Sequence, residues 1–97
     1  KDKLQLSDAQ VDSIKKMRFD YRKTSIILTA DKEVAKMEFD QLVHSKTVNE
    51  SAIREAGEKI IAVKTKKIRA KVEAKIAVMK LLSDGQRNQV HKMHSSH

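Results

Sequence analysis

Apolar residues recur at helical spacing along most of this sequence. In the first part, Val11, Ile14, Met17 and Tyr21 lie three or four positions apart, which predicts an amphipathic helix. The pattern weakens over residues 23–29, where β-branched and hydroxyl-bearing side chains follow one another. These residues are weak helix formers, so we expect a bend or a break at this point.

A second helix is predicted to resume near Ala30. Its apolar stripe would consist of Val34, Met37 or Glu38, Gln41 and Leu42. Phe39 stands off that stripe and is predicted to belong to a second contact surface. The segment 44–49 then lacks periodicity and ends at Asn49, a good N-cap residue, so we expect a loop in which the chain reverses.

The longest periodic stretch extends from Glu50 to Leu81 and would form a single helix of about 48 Å. Its first apolar row consists of Ile53, Ala56, Ile60, Val63, Lys67, Ala70, Ala74, Ala77 and Leu81. A second row beside it consists of Ile61, Ile68, Val72, Ile76 and Met79. Two rows are wider than one partner helix covers, so we expect two packing partners, and the sequence leaves open which row is core. Lys67 must extend to solvent, find a partner or mark a polar opening.

Two short segments of the chain repeat each other. Leu6-Ser7-Asp8-Ala9-Gln10 returns as Leu82-Ser83-Asp84-Gly85-Gln86. In each copy the Ser hydroxyl can accept from the amide three residues later while the Gln side chain accepts from the Ser amide, which is a capping box. We therefore predict that Leu6, Ser7, Gln10, Leu82, Ser83 and Gln86 form helix-capping motifs. Because the Ser-Asp pairs lie at helix starts, capping is favoured over a catalytic role.

Composition supports one helical domain over residues 1–97. The chain has no Pro, no Trp, no Cys and only two Gly among its 97 residues, which favours an all-α fold and excludes disulfides and thiol chemistry. A chain this short buries a thin core, so we expect help from a partner. The sequence has no Gly-rich phosphate loop and no HExxH motif, so we do not expect an enzyme.

The net charge of +8 is concentrated in the second half of the chain. The basic run consists of Lys64, Lys66, Lys67, Arg69, Lys71 and Lys75. Such a run is either a solvated helix face or a surface that attracts phosphate, acidic lipid or acidic polypeptide. No aromatic residues are interleaved with it for base stacking, so we do not expect nucleic acid as a partner.

The two boxes and the hairpin between them resemble the CpxP/Spy/ZraP family of bacterial periplasmic stress proteins. That family carries two LTxxQ boxes, and this sequence is similar at residues 6–10 and 82–86, with Ser in place of Thr in both. Serine keeps the capping hydroxyl. The resemblance implies a four-helix hooked hairpin with a long second arm, paired as an antiparallel, cradle-like homodimer. It also implies a periplasmic location.

The resemblance further implies an ATP-independent chaperone or an accessory protein of envelope-stress signalling with a membrane-bound sensor as partner. We expect the dimer to hold unfolded or acidic clients on a basic, apolar concave surface. That client-binding surface would be supplied by Ile60, Ile61, Lys64, Lys67, Ile68, Lys71 and Val72.

A second hypothesis is a periplasmic metal-binding sensor or heavy-metal (zinc) resistance protein. His91 and His94 are three residues apart and could offer two imidazoles to Zn²⁺, Ni²⁺ or Cu²⁺, whereas the alternative is a solvated tail. Some relatives carry a His-rich or Cys-containing metal motif before the first box, where only residues 1–3 remain here, so that site is either absent or removed. His97 is either native or the start of a purification tag, and His44 is interpreted as a surface histidine. Apart from Zn²⁺ at this site, no cofactor is expected.

Overall fold

Three helices form the described part of the chain. The structure is a computed structural model that describes residues 4–95, with the backbone alone for the last two. Helix α1 spans Asp8–Val43, α2 spans Glu50–Leu81 and α3 spans Asp84–Ser95. The all-α prediction is confirmed, and none of these helices is long and apolar enough to cross a membrane. Residues 1–3 and His97, which bear on the expected metal motif and tag, lie outside the described residues.

Helices α1 and α2 form an antiparallel hairpin that is 61 Å in its longest dimension. The loop 44–49 joins them, and the Asn49 side chain accepts from the Ala52 amide at 3.1 Å, so the predicted loop and N-cap are confirmed. The bounds of α2 agree with the sequence prediction at both ends. Local signals were sufficient here because a side-chain cap and an uninterrupted apolar period define both boundaries.

The predicted break within residues 23–29 is wrong. Helix α1 continues through this segment without interruption, so the described chain has three helices rather than four. The helix propensities of Thr, Ser and Ile are only a few tenths of a kcal/mol per residue below those of good formers. Half-buried Ser25 and Leu28 face α2, and this packing outweighs the small local preference.

The apolar stripe predicted for the second half of α1 is also wrong, because it lies on a different side of the helix from the residues that face α2. Val34 and Met37 are exposed, whereas Phe39 is half-buried on the side that faces α2. Because the helix is unbroken, the period set by Tyr21 carries through the centre of the helix. The inward row therefore consists of Ile14, Met17, Tyr21, Ser25, Leu28, Lys32, Ala35, Phe39 and Leu42.

On α2 the first apolar row faces α1 and the second faces outward. Every member of the first row is buried or half-buried. In the second row Ile61, Ile68, Val72 and Ile76 are exposed, and only Met79 is half-buried. Only Ala35, Ala56 and Leu82 among the described residues are buried, so the core is a single thin seam.

Candidate functional site

The first repeated segment begins α1 as a complete capping box. Ser7 Oγ accepts from the Gln10 amide at 3.1 Å, and Gln10 Oε1 accepts from the Ser7 amide at 2.9 Å. Asp8 places a carboxylate in the first turn, where the positive end of the helix dipole favours it. The predicted cap is confirmed.

The second repeated segment has the same geometry at the start of α3. Ser83 Oγ accepts from the Gln86 amide at 3.2 Å, and Gln86 Oε1 accepts from the Ser83 amide at 2.8 Å. Leu82, the first residue of this box, is the C-cap residue of α2 and is 5% exposed. The two boxes therefore begin two helices and also contribute a leucine to the core at this end of the hairpin.

The glutamines of the two boxes bond to each other as well as to their own caps. Gln10 Nε2 donates to Gln86 Oε1 at 2.9 Å, and Gln86 Nε2 donates to Gln10 Oε1 at 3.1 Å. Gln10 Nε2 also donates to the Leu81 carbonyl at 2.7 Å, and Gln86 Nε2 donates to the carbonyls of Leu4 and Gln5 at 3.1 and 3.2 Å. This cross-box pair joins the start of α1 to the end of α2 and the start of α3.

Arg87, the residue after the second box, closes the C-terminus of α2. Its Nη1 donates to the carbonyls of Leu82 at 2.6 Å and Met79 at 3.2 Å, while its Nη2 pairs with the Asp84 carboxylate. A cation at this position provides donors to carbonyls at the helix end and interacts favourably with the negative end of the helix dipole.

Five of the seven predicted client-binding residues share the outer face of α2. The side chains of Ile61, Ile68 and Val72 are 56%, 65% and 48% exposed. Lys64 and Lys71 each follow one of the isoleucines by three residues, so each lies beside it on the helix surface. Apolar side chains and ammonium groups are thus adjacent along about three turns of an exposed face.

The other two predicted client-binding residues, Ile60 and Lys67, lie on the side of α2 that faces α1. Both are half-buried and belong to the seam of the hairpin. Desolvation lowers the pKa of Lys67 below its ordinary value, and the neighbouring Lys32 ammonium lowers it further, while Glu33 acts in the opposite direction. The structure therefore places these two residues beneath the outer face rather than on it.

The predicted metal ligands lie on the last turns of α3. His91 is exposed, and the side chain of His94 lies outside the described part of the structure. Within the described residues, no group of three or more His, Cys, Asp or Glu side chains is arranged to hold a metal ion. The role of this pair stays a prediction.

Sequence reasoning missed the contact between the two boxes and a groove beside it. Arg18 and Tyr21 of α1, Lys75 and Met79 of α2, and Val90 of α3 line this groove, which has a volume of about 730 Å³. The recurrence of Gln at the same box position was a usable signal for the contact. The groove had no such signal because its walls come from three helices that meet only in the folded chain.

The protein-family model described as "LTXXQ motif family protein" matches residues 1–94. No curated protein and no solved structure matches the chain.

Proposed function

This chain belongs to the LTXXQ motif family, the family of CpxP/Spy/ZraP-type periplasmic proteins, and we propose that it is an ATP-independent chaperone of the periplasm. In this proposal a homodimer holds partly unfolded clients through apolar contact and charge. The observation that carries it is the alternation of exposed isoleucines and lysines on the outer face of α2.

The chemistry of this face suits transient holding of unfolded chains. Ile61 and Ile68 are exposed and can bury apolar segments of a client, which slows its release. Lys64, Lys71 and Lys75 on the same side of α2 attract acidic segments, which speeds encounter. None of this requires a nucleotide, so we propose a binding function without catalysis.

The single chain exposes more surface than a compact protein of its mass. Its accessible surface is 7927 Å², whereas a compact monomer of 11.1 kDa has about 5,700 Å². Part of this excess is apolar surface on α1, where Phe19, Ile26 and Met37 are all more than half exposed. Exposed apolar surface of this extent marks an interaction site, and we propose a second copy of the chain as the partner that covers the α1 side.

The test is suppression of client aggregation by purified protein without ATP. Light scattering from a reduced, aggregation-prone acidic protein should fall as this protein is added in stoichiometric amounts, and a basic client of similar size should be protected less. Sedimentation under the same conditions should give a dimer. Equal scattering with and without the protein, at every ratio up to a severalfold excess, would contradict the chaperone proposal. A membrane-bound stress sensor is the further partner proposed for the same basic surface.

A further inference from the structure

The groove beside the boxes, which we term the box-end groove, has an apolar floor. Tyr21 of α1, Val78 and Met79 of α2 and Val90 of α3 all line it, and all four are half-buried. Its volume of about 730 Å³ lies within the range of roughly 300–1,000 Å³ that is typical of small-molecule sites. Three separate helices form the walls, so the groove exists only at this end of the hairpin.

The rim of the box-end groove is basic. Arg18, Lys71, Lys75 and Arg87 line it, and no acidic side chain is among its described lining residues. Arg87 is already paired with Asp84 and bonded to the end of α2, so the charge available to a ligand comes from the other three. The groove is therefore apolar at its base and cationic at its edge.

The apolar floor continues beneath the boxes. A neighbouring cavity of about 400 Å³ shares Arg18, Val78, Met79 and Val90 with the groove and is otherwise lined mainly by apolar residues, among them Leu6 and Ile14. A flexible chain that enters at the basic rim thus has further apolar surface ahead of it. We infer that the box-end groove binds an amphiphile with one alkyl chain and an anionic head group, such as a fatty acid.

The charge and the hydrogen-bonding character of the groove favour a fatty acid over a second copy of this chain and over a peptide. A second copy of this chain is already proposed to cover the α1 side, and its net charge of +8 makes it a poorer match for the basic rim than an anionic ligand. The walls supply cationic donors and apolar surface, so a peptide would leave most of its own N–H groups without acceptors, at a cost that an alkyl chain does not have. An anionic head group at Arg18, Lys71 and Lys75 with the alkyl chain on Val78 and Val90 satisfies both parts of the site.

Displacement of a fluorescent fatty acid by laurate tests this inference, with dodecyltrimethylammonium as the ligand of equal chain length and opposite charge. Laurate should displace the probe at concentrations at least about tenfold lower than the cation does, because two or three charge contacts change sign. Lengthening the carboxylate from octanoate to laurate should tighten binding by about two- to fourfold per methylene. Equal displacement by the anion and the cation would overturn the inference.

Matched variants locate the site. Lys71→Gln combined with Lys75→Gln should weaken laurate binding roughly tenfold, whereas Lys64→Gln with Lys66→Gln, an equal change of charge on exposed lysines outside the groove, the first of them on the outer face of α2, should change it by less than about twofold. In methyl NMR spectra, laurate should shift the signals of Val78, Met79 and Val90. Equal weakening in both double variants, or shifts at Ile61 and Ile68 instead, would show that binding is nonspecific or lies on the outer face.

Sedimentation in the presence of laurate tests whether a second copy of the chain occupies the groove instead. A dimer that persists when laurate is bound supports the inference, and a dimer that dissociates in proportion to bound laurate shows that a second copy fills the groove and overturns it. The assay contains no client and does not depend on the proposed chaperone function. If laurate does not bind but aggregation is still suppressed, the groove inference is wrong. If laurate binds but aggregation is not suppressed, the chaperone proposal is wrong.

Discussion

Gln10 and Gln86 form a reciprocal side-chain amide pair with donor–acceptor distances of 2.9 and 3.1 Å, although they are 76 residues apart in the chain. Each amide oxygen also accepts from the backbone amide of its own box, and each amide nitrogen also donates to a backbone carbonyl. One side chain thus caps a helix and joins two chain segments. This double use explains why the fifth position of each box is a glutamine rather than the glutamate that a capping box alone would accept.

Gln86→Glu separates the two roles of this side chain. Glutamate can still accept from the Ser83 amide, but it cannot donate to Gln10 or to the carbonyls of Leu4 and Gln5. We expect a loss of about 1–3 kcal/mol in the free energy of unfolding, because two part-buried acceptors, the Leu4 carbonyl and Gln10 Oε1, lose this donor. Urea denaturation measures it. Asn88→Asp, which makes the same change of charge at an exposed position of α3, should cost far less, and equal losses in the two variants would refute the cross-box role.

The serines of the boxes contribute through capping. Ser7→Ala and Ser83→Ala should each lower the free energy of unfolding by about 1 kcal/mol, because each removes the acceptor of an N3 amide. Thermal melts should show this loss, whereas Ser7→Thr should melt close to wild type since it keeps a hydroxyl. Ser51→Ala, at an exposed position in the first turn of α2, is the control. Unchanged melting of both box variants would reopen another role for these hydroxyls.

Gly57 offers a stabilising substitution. A Cβ built at this position would lie 3.7 Å from Phe39 Cε1, an ordinary contact distance, and the residue is in the interior of α2. Gly57→Ala should therefore raise the free energy of unfolding by up to about 1 kcal/mol and the melting temperature by roughly 4–8 °C. The control is Gly57→Val, which keeps the Cβ but adds branching against Phe39 and should gain less. A lower melting temperature for Gly57→Ala would mean that the approach of α1 and α2 is closer in solution.

We expect Lys67 to make the stability of the hairpin depend on pH. Because desolvation and Lys32 lower its pKa in the folded state, the protonated side chain opposes folding at neutral pH. This unfavourable contribution should fade as pH rises through the lowered pKa towards the ordinary lysine value of about 10.4. Lys67→Met should therefore melt above wild type at neutral pH, and the difference should shrink under alkaline conditions. The neighbouring exposed Lys66→Met should show no such trend, and a difference for Lys67→Met that stays constant with pH would contradict the electrostatic explanation.

Short-range signals predicted the local structure of this protein well. The caps at Ser7, Asn49 and Ser83 and the bounds of α2 depend on residues within one turn of each other, and all of them were readable from the sequence. The uninterrupted course of α1 was not predicted. Weak helix formers at 23–29 suggested a break, and restarting the apolar period after that break assigned Phe39 to the wrong face.

Two features of the site, the exposed residues of α2 and the box-end groove, were not predictable from the sequence because they depend on contacts between distant segments. The sequence predicted the set of residues from which the outer face of α2 is built. Only the packing of Ile60 and Lys67 against α1 shows which members of that set are exposed. The box-end groove requires three helices at once, and its basic rim combines Arg18 with Lys75 and Arg87 from other parts of the chain. Periodicity within one helix carries no information about such a meeting point.

If the outer face of α2 is the client-binding surface, we expect charge to set the rate of capture and apolar contact to set the rate of release. Because Lys67 lies in the seam, the relevant cations are Lys64, Lys71 and Lys75, and replacing all three with Gln should slow capture of an acidic client by roughly three- to tenfold at physiological ionic strength. Ile68→Ser should leave capture unchanged and speed release, because this exposed side chain contributes apolar burial and not charge. Stopped-flow fluorescence of a labelled, unfolded client measures both rates.

The control for the lysine variant is Lys59, Lys66 and Lys80 replaced with Gln, an equal loss of charge on exposed positions of the same helix. Its capture rate should stay within about twofold of wild type, since surface charges act mainly within a Debye length of about 8 Å at physiological ionic strength. Added salt should slow capture by the wild type and have little effect on the variant without Lys64, Lys71 and Lys75. If both triple variants capture at the same rate, only net charge matters, and the outer face of α2 is a solvated surface. If Ile68→Ser and wild type also release the client equally slowly, apolar holding takes place elsewhere on the protein, and the exposed row of α1 with Phe19 and Met37 becomes the surface to test.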